Sequence, residues 1–436
     1  MLGRYLSLIA LLSSLALIAS GREKQKKDPV FAQIASIVQS LSEISGLSEE
    51  HPVAYGRMDK VQLRRFLMKR IKKSIRPAEI RADELTLKML GLVPQDFDLK
   101  KSTIDLLTEQ AAAFYDYDTK KLYLLDSDPS EDETTTLAHE LAHALADQHF
   151  NLSRFMDETP SNDDEDLAHT AVVEGEASWL MIAYDLKQAG EAPLPTVEML
   201  KSVADASNDD SDYPVLKRSP LYIQQSLLFP YTNGALFFDA VFRKMGKQAF
   251  TAVFTDPPVD SAQVMHPEKY FAHIGPVRPE LPKLVLTHAR EIAEGSVGEF
   301  DHKMLLQQYV GAAEADTLSP HLLGGDFKIM GEGKQRAPIL EYASEWDLPQ
   351  YAAQFFAAYK KILQLKWRHC DPRFSDARTY AGKGDNGWFI LRVSGNIVTS
   401  FEGLPDVQEW QQMMAPKIDA GLRDSRTVAS RRSRSY

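Results

Sequence analysis

The sequence predicts an α+β fold, mostly helical, with a small antiparallel sheet beside one helix rich in potential ligands. Three observations predict it. Apolar residues recur at helical spacing through residues 30–45, 58–75, 81–92 and 101–113, and again through most of 134–189. The period changes to two only in short stretches, first at 112–128, AAFYDYDTKKLYLLDSD, which outlines a hairpin around Asp116-Tyr-Asp-Thr-Lys120. Directly after it comes TTTLAHELAHALADQHF, residues 134–150, an uninterrupted helical run.

That run justifies itself locally. Leu137, Leu141 and Leu145 form one apolar side, the alanines favour helix, and no Gly or Pro breaks it. The Thr triplet 134–136 offers a start signal. His139 and His143 sit one turn apart and aim the same way. They can hold one metal ion, with Glu140 beside it placed to take a proton from a water activated there.

A second helix follows a polar stretch, at residues 169–184, HTAVVEGEASWLMIAY, with Glu174 and Glu176 set in apolar sequence. Burying a carboxylate is costly unless something offsets its charge. A third metal ligand does so and leaves a fourth position for water. At about 100° per residue the two glutamates point roughly 160° apart, so one ion can take only one of them. Glu174 shares its face with Ala177, Ser178 and Met181; Glu176 faces elsewhere, toward a substrate cleft or a basic partner.

These two segments, residues 134–184, resemble the zincin metallopeptidases of the gluzincin branch. There the third ligand is a Glu on a helix downstream of H-E-x-x-H. Glu174-Gly175-Glu176-Ala177-Ser178 is similar to the end of the family's N-E-G-F-A-S segment, and the resemblance selects Glu174, the first Glu, as ligand. Val173 stands where the family has Asn, and the G-x-M-E-N segment of the aminopeptidases is absent, so aminopeptidase activity is not implied. His149 has the spacing of the metzincin third His. However, Ala146 replaces the Gly that turns that His back, and a continuing helix leaves His149 about 100° off the metal face. Asp147 falls on the metal side, either to orient a ligand imidazole or to pair with a downstream Arg.

In zincins the strand before the metal helix borders the cleft, which agrees with the hairpin at 112–128. An exposed edge there can take an extended peptide through main-chain hydrogen bonds. Either the 122–125 arm or its partner can be that edge.

The remaining chain is read in order. Residues 1–21 have Arg4, an apolar core at 6–19 and small residues Ser20 and Gly21, the layout of a secretory signal peptide cleaved after Gly21. Export to the periplasm or the extracellular space is expected; an uncleaved membrane anchor is the alternative. Residues 22–110 form an N-terminal helical region. The helix at 58–75 has a strongly basic side that could touch anionic lipid. A solvated surface is the commoner explanation, and membrane contact is not the expected reading apart from the signal segment. Residues 111–280 form the zincin-like catalytic region. Its acidic stretch 151–166 is expected to be a solvated loop, because the calcium-loop pattern is lacking. A break at Pro230–Gly234 is expected to precede a helix. Tyr231, at that break, and His266, in a Pro-rich loop, are the candidate donors to the oxyanion formed on attack.

Residues 281–424 form a C-terminal α+β region. HLLGGDFKIM, at 321–330, reads as a Gly-Gly turn before a strand, a helix begins near Pro349, and residues 387–403 read as two strands joined around Ser394-Gly-Asn396. Residues 425–436 look like a disordered basic tail.

Composition narrows the function. The chain of 436 residues has 50 Lys and Arg against 61 Asp and Glu, a formal charge of −11, which argues against a nucleic-acid partner. Cys370 is the single cysteine, so no intrachain disulfide forms. The expected activity is Zn2+-dependent hydrolysis of a peptide or protein substrate, with His139, His143 and Glu174 as ligands and Glu140 as general base. Two alternatives are a zinc amidohydrolase acting on a non-protein or cell-wall amide and a noncatalytic zinc-binding envelope protein. An intact Glu140 weighs against the second, because a structural site needs no base.

Overall fold

The structure is a computed structural model describing residues 31–126, 133–157, 163–206, 213–282, 290–331, 338–405 and 407–414. The expected signal peptide and basic tail lie outside these residues. Among the described residues no helix is long and apolar enough to cross a membrane.

The N-terminal part holds α1 (Ile34–Ser45), β1 (Ala54–Met58), α2 (Lys60–Ser74), α3 (Pro77–Leu90) and α4 (Leu99–Gln110). Helix starts and stops follow local chemistry. Asp59 caps α2, accepting from the Gln62 amide while the Gln62 side chain accepts from the Asp59 amide. Gly46 and Gly91, both left-handed, close α1 and α3. Strand β1 falls where the sequence predicts only helix; it has five residues, and its alternation is too short and too exposed to register.

The predicted hairpin forms as β2 (Ala113–Asp116) and β3 (Lys121–Leu125), paired antiparallel, with β1 parallel to β3 on its far side. The order β1-β3-β2 makes β3 central. The 122–125 arm is therefore not the free edge; β2 is the edge nearest the next helix.

That helix is α5 (Glu133–Phe150), followed by α6 (Leu152–Asp157) and α7 (Asp163–Gln188). The solvated loop expected at 151–166 is helical over most of its described residues. Residues 152–157 form α6, and Asp163, Asp164, Glu165 and Asp166 form the first turn of α7, with Asp163, Asp164 and Asp166 buried. Acidic side chains there meet the positive end of the helix dipole, which makes an acidic run a good helix start. Then come α8 (Val197–Ala206), α9 (Pro214–Arg218) and α10 (Leu221–Met245). The break expected at Pro230–Gly234 does not occur: α10 runs through Pro230. Thr232 Oγ1 donates to the Leu228 carbonyl at 3.0 Å, and burial of residues on both sides of the proline keeps the helix whole against its local preference.

Helices α7 and α10 pack unusually closely. A Cβ on Gly175 would lie 2.1 Å from the Gly234 carbonyl carbon, and one on Gly234 would lie 2.2 Å from the Ala171 oxygen. Two glycines facing each other let backbone meet backbone, which brings Tyr231 of α10 beside the motif helix.

The chain continues through α11 (Ala249–Thr255), α12 (Ser261–Met265), α13 (Pro267–Phe271), β4 (Arg290–Ser296), α14 (Glu299–Tyr309), α15 (Ala312–Leu318), β5 (Leu322–Gly331), β6 (Ile339–Trp346), α16 (Pro349–Lys366), β7 (Asp371–Ser375), β8 (Thr379–Gly384), β9 (Gly387–Ser394), β10 (Ile397–Leu404) and α17 (Val407–Met414). Strands β4 to β10 form one antiparallel sheet of seven, in the order β4-β5-β6-β10-β9-β8-β7. The predicted β9–β10 pair is present, and α16 begins at Pro349 as expected. Gly324 and Gly325 do not form a turn. They lie inside β5, where a Cβ on Gly324 would sit 1.9 Å from the Val277 oxygen. One cluster of buried apolar side chains runs from Ile34 through the helices to Val398 of the sheet.

Candidate metal centre

The centre is built where α5 crosses α7. Both helices are buried along most of their length, so side chains at their contact are fixed by packing. His139 and His143 project from successive turns of α5, their rings 4.6 Å apart and perpendicular. Glu174 of α7 meets both of them. Its Oε2 is 3.1 Å from Nε2 of His139 and 3.4 Å from Nε2 of His143. All three side chains are at least nine-tenths buried.

One ligand-capable atom from each of His139, Glu140 and His143 also falls within a 4.8 Å span. Distance alone therefore leaves Glu140 or Glu174 as the third donor. Two observations separate them. A single oxygen of Glu174 touches both ring nitrogens, whereas the Glu140 carboxylate accepts the backbone N–H of Tyr115 on β2. Burial pushes Glu140 up to about 8, with His139 opposing that rise and Glu174 adding to it. Burial also tends to raise Glu174, but His143 and His139 outweigh it and hold its carboxyl below the ordinary value.

The residues fit a divalent metal. In a tetrahedral zinc site with bonds near 2.0–2.1 Å, ligand atoms lie about 3.3 Å apart, and the two observed separations bracket that value. The 3.4 Å contact is longer than a charge-assisted hydrogen bond prefers. Glu174 Oε1 and His143 Nδ1 are buried with no hydrogen-bond partner among the described residues. Two imidazoles, a carboxylate and orphaned polar atoms in a dry site are costly as a bare cluster and natural around a cation.

The hairpin is fastened to the same helix. Tyr115 donates its hydroxyl to Asp147 Oδ2 at 2.9 Å, and Lys120 donates to Asp147 Oδ1 at 2.7 Å. The same Oδ1 accepts the Leu152 amide at 2.8 Å, which starts α6. Asp147 thus ties the hairpin to the last turn of α5; its basic partner is Lys120, upstream rather than downstream. The arrangement holds the Tyr115 N–H on Glu140.

The other sequence candidates separate clearly. Tyr231 reaches the centre, its ring stacked 5.9 Å from that of His139. His266 does not join it: its Nε2 is 2.7 Å from Glu299, which also pairs with Lys269 at 3.2 Å. These residues lie at the α7 N-terminus, where Ser261 hydrogen-bonds Asp164, about 15 Å along the helix from Glu174. His149 faces outward, with Nε2 2.7 Å from the Ser48 carbonyl. Glu176 is wholly buried, neither oxygen has a hydrogen-bond partner among the described residues, and burial raises it to about 8. It meets neither the cleft nor the basic partner expected of it.

One residue escapes the sequence reading. Tyr117, in the hairpin turn, stands edge-on to His143 with ring centroids 6.1 Å apart. Burial, then the charges of Glu174 and Glu140, push its hydroxyl well above the ordinary tyrosine value. The available signal was the alternation Tyr115-Asp116-Tyr117, which puts both tyrosines on one side of the strand. Tyr117 and Tyr231 therefore flank the centre, one beside each histidine.

Compared with family models, curated proteins and solved structures, the chain finds no match in any of the three. The site itself carries the assignment. A His139-Glu140-x-x-His143 triad matching the zincin motif is present on a buried helix beside a small sheet, consistent with a metallopeptidase of the gluzincin type. That triad supports a metal-activated hydrolytic mechanism and an enzymatic role.

Proposed function

We propose that the protein is a zinc metallopeptidase that hydrolyses peptide bonds in a peptide or protein segment. The observation that carries this reading is the convergence of His139 and His143 on one oxygen of Glu174, with Glu140 beside them but engaged otherwise. His139, His143 and Glu174 are the ligands. Zinc, when bound there, supplies Lewis acidity that polarises the scissile carbonyl and makes water acidic enough to attack at neutral pH.

The remaining chemistry belongs to the chain. Glu140 accepts the attacking water's proton and hands it to the departing amine. The Tyr115 N–H orients that carboxylate, and the Asp147 contacts to Tyr115 and Lys120 hold the strand in place. Tyr117 and Tyr231 have their rings beside the two histidines and are the donors proposed for the developing oxyanion. Strand β2, the sheet edge beside α5, is buried at all four residues and its Tyr115 N–H is taken by Glu140, so the exposed edge expected for strand addition is not present there.

The test is Glu140→Gln. Glutamine keeps the shape but cannot act as base, so zinc content should equal that of the unaltered protein while cleavage of a mixed peptide library falls by about 10²–10⁴-fold. A chelator should abolish the activity of the unaltered protein. Zinc-loaded protein that cuts no peptide in a broad library overturns the peptidase reading.

A further inference from the structure

Helix α2 is unlike the rest of this acidic chain. Its fifteen residues include Lys60, Arg64, Arg65, Lys69, Arg70, Lys72 and Lys73 and no acidic residue, whereas the whole chain carries −11. Leu63, Leu67 and Ile71 are buried and anchor its inner face. The need of an amphipathic helix for apolar contact is therefore already met on that side.

The outer face is not purely polar. Val61 is 59% exposed and Met68 51% exposed. At about 100° per residue, Val61, Arg65, Met68 and Lys72 fall within roughly 60° of one another, with Lys69 at their margin. The stripe thus interleaves apolar side chains with cations over the helix length of about 22 Å.

The cations divide into two groups. Arg64 pairs with Asp105 at 2.7 Å, Arg70 with Asp116 at 2.7 Å and Asp118 at 3.1 Å, and Lys73 with Asp118 at 3.6 Å. Those pairs fasten α2 to α4 and to the hairpin. Lys60, Arg65, Lys69 and Lys72 make no ion pair among the described residues, and three of these four lie in or beside the Val61–Met68 stripe.

We propose that the outward face of α2 docks the protein on an anionic lipid surface. Unpaired cations meet the headgroup charge, while Val61 and Met68 enter the headgroup boundary. Charge complementarity favours that orientation: the chain as a whole carries −11, whereas this helix carries seven cations and no acidic residue. A nucleic acid uses the cations but has no use for the exposed Val61 and Met68. The solvated-surface reading accounts for the cations and gives the exposed Val61 and Met68 no role. This inference does not depend on the metal centre.

The test is co-sedimentation of the full chain with phosphatidylglycerol or phosphatidylcholine vesicles at increasing salt. The unaltered protein should bind phosphatidylglycerol strongly at low salt, bind phosphatidylcholine far less, and dissociate as salt rises. Each basic residue near such a surface contributes roughly fivefold in partitioning, so Arg65→Glu/Lys69→Glu/Lys72→Glu should weaken phosphatidylglycerol binding by at least ~100-fold. Val61→Ser/Met68→Ser should weaken it while keeping its salt dependence. A circular-dichroism melt checks that the charge-reversed protein is folded; if it is not, Lys69→Gln/Lys72→Gln replaces it, with a loss of at least ~10-fold expected. Equal binding to both vesicles points to the apolar N-terminal segment and overturns the proposal. Binding to neither, or charge-altered protein that binds as the unaltered one does, overturns it too. Salt-sensitive binding to poly-glutamate without vesicle binding overturns it in favour of an acidic protein partner.

Discussion

Nε2 of His139 lies 3.1 Å from Oε2 of Glu174, although thirty-five residues separate them in the chain. Glu176, two positions on, is as deeply buried but touches no hydrogen-bond partner among the described residues. One helix therefore presents two buried carboxylates, of which only one reaches the histidines.

Metal binding should follow that asymmetry. Glu174→Ala removes a donor and should lower zinc affinity by more than the ~10–100-fold that loss of an outer partner costs. Glu176→Ala leaves a cavity and should reduce stability, with zinc content unchanged. Zinc titration monitored with a competing chelator distinguishes them. Equal affinity in the Glu174→Ala and unaltered proteins would remove Glu174 from the site and leave Glu140 as the third donor within reach.

The glycine contact between α7 and α10 yields a second expectation. Alanine normally strengthens a helix by up to ~1 kcal/mol relative to glycine. At Gly234 the added methyl would sit 2.2 Å from the Ala171 backbone oxygen, where relief requires moving a whole helix. Overpacking of this kind costs about 1–3 kcal/mol. Gly234→Ala should therefore unfold at lower urea, and activity should fall as Tyr231 is displaced from His139. A variant as stable as the unaltered protein would show that the two helices separate freely.

Much of the centre was legible because its geometry is local. His139, Glu140 and His143 need only one helix, and nothing in 134–150 opposes it. Glu174 needed a second helix and a crossing; the acidic pair inside apolar sequence pointed to that helix, and the resemblance to the gluzincin segment chose Glu174 over Glu176. Tyr117 was hidden because its position depends on the hairpin folding back onto α5, a long-range event. In the seven-stranded sheet, β8 was hidden and the start of β5 read as a turn for a different reason. Strand preference disfavours glycine, yet β5 contains Gly324 and Gly325, and β8 contains Gly382 and Gly384. These are places where a Cβ would strike a neighbour, such as the Asp371 oxygen 2.2 Å from Gly382. Pro230 misled in the opposite sense: it reads as a break, but tertiary burial carries α10 through it.

Stability should also depend on pH through carboxyls buried away from the metal. Burial, and then the charge of Asp163, raises Asp83 from 3.8 to about 7, and its Oδ2 has no hydrogen-bond partner among the described residues. The folded state therefore holds this proton over a range in which the unfolded chain has lost it. With more protons bound in the folded state, stability must fall as pH rises from about 4 to about 7. Each unit of such a shift corresponds to about 1.4 kcal/mol, so ionising Asp83 in the folded protein costs on the order of 4–5 kcal/mol. Burial likewise raises Asp301 to about 6, which steepens the same fall. Asn cannot ionise and has nearly the same shape. Asp83→Asn should flatten the fall between pH 4 and 7 and make the protein more stable than the unaltered chain at pH 8, measured by urea unfolding across that range. An unchanged pH profile would mean that Asp83 reaches solvent or a cation in its charged form.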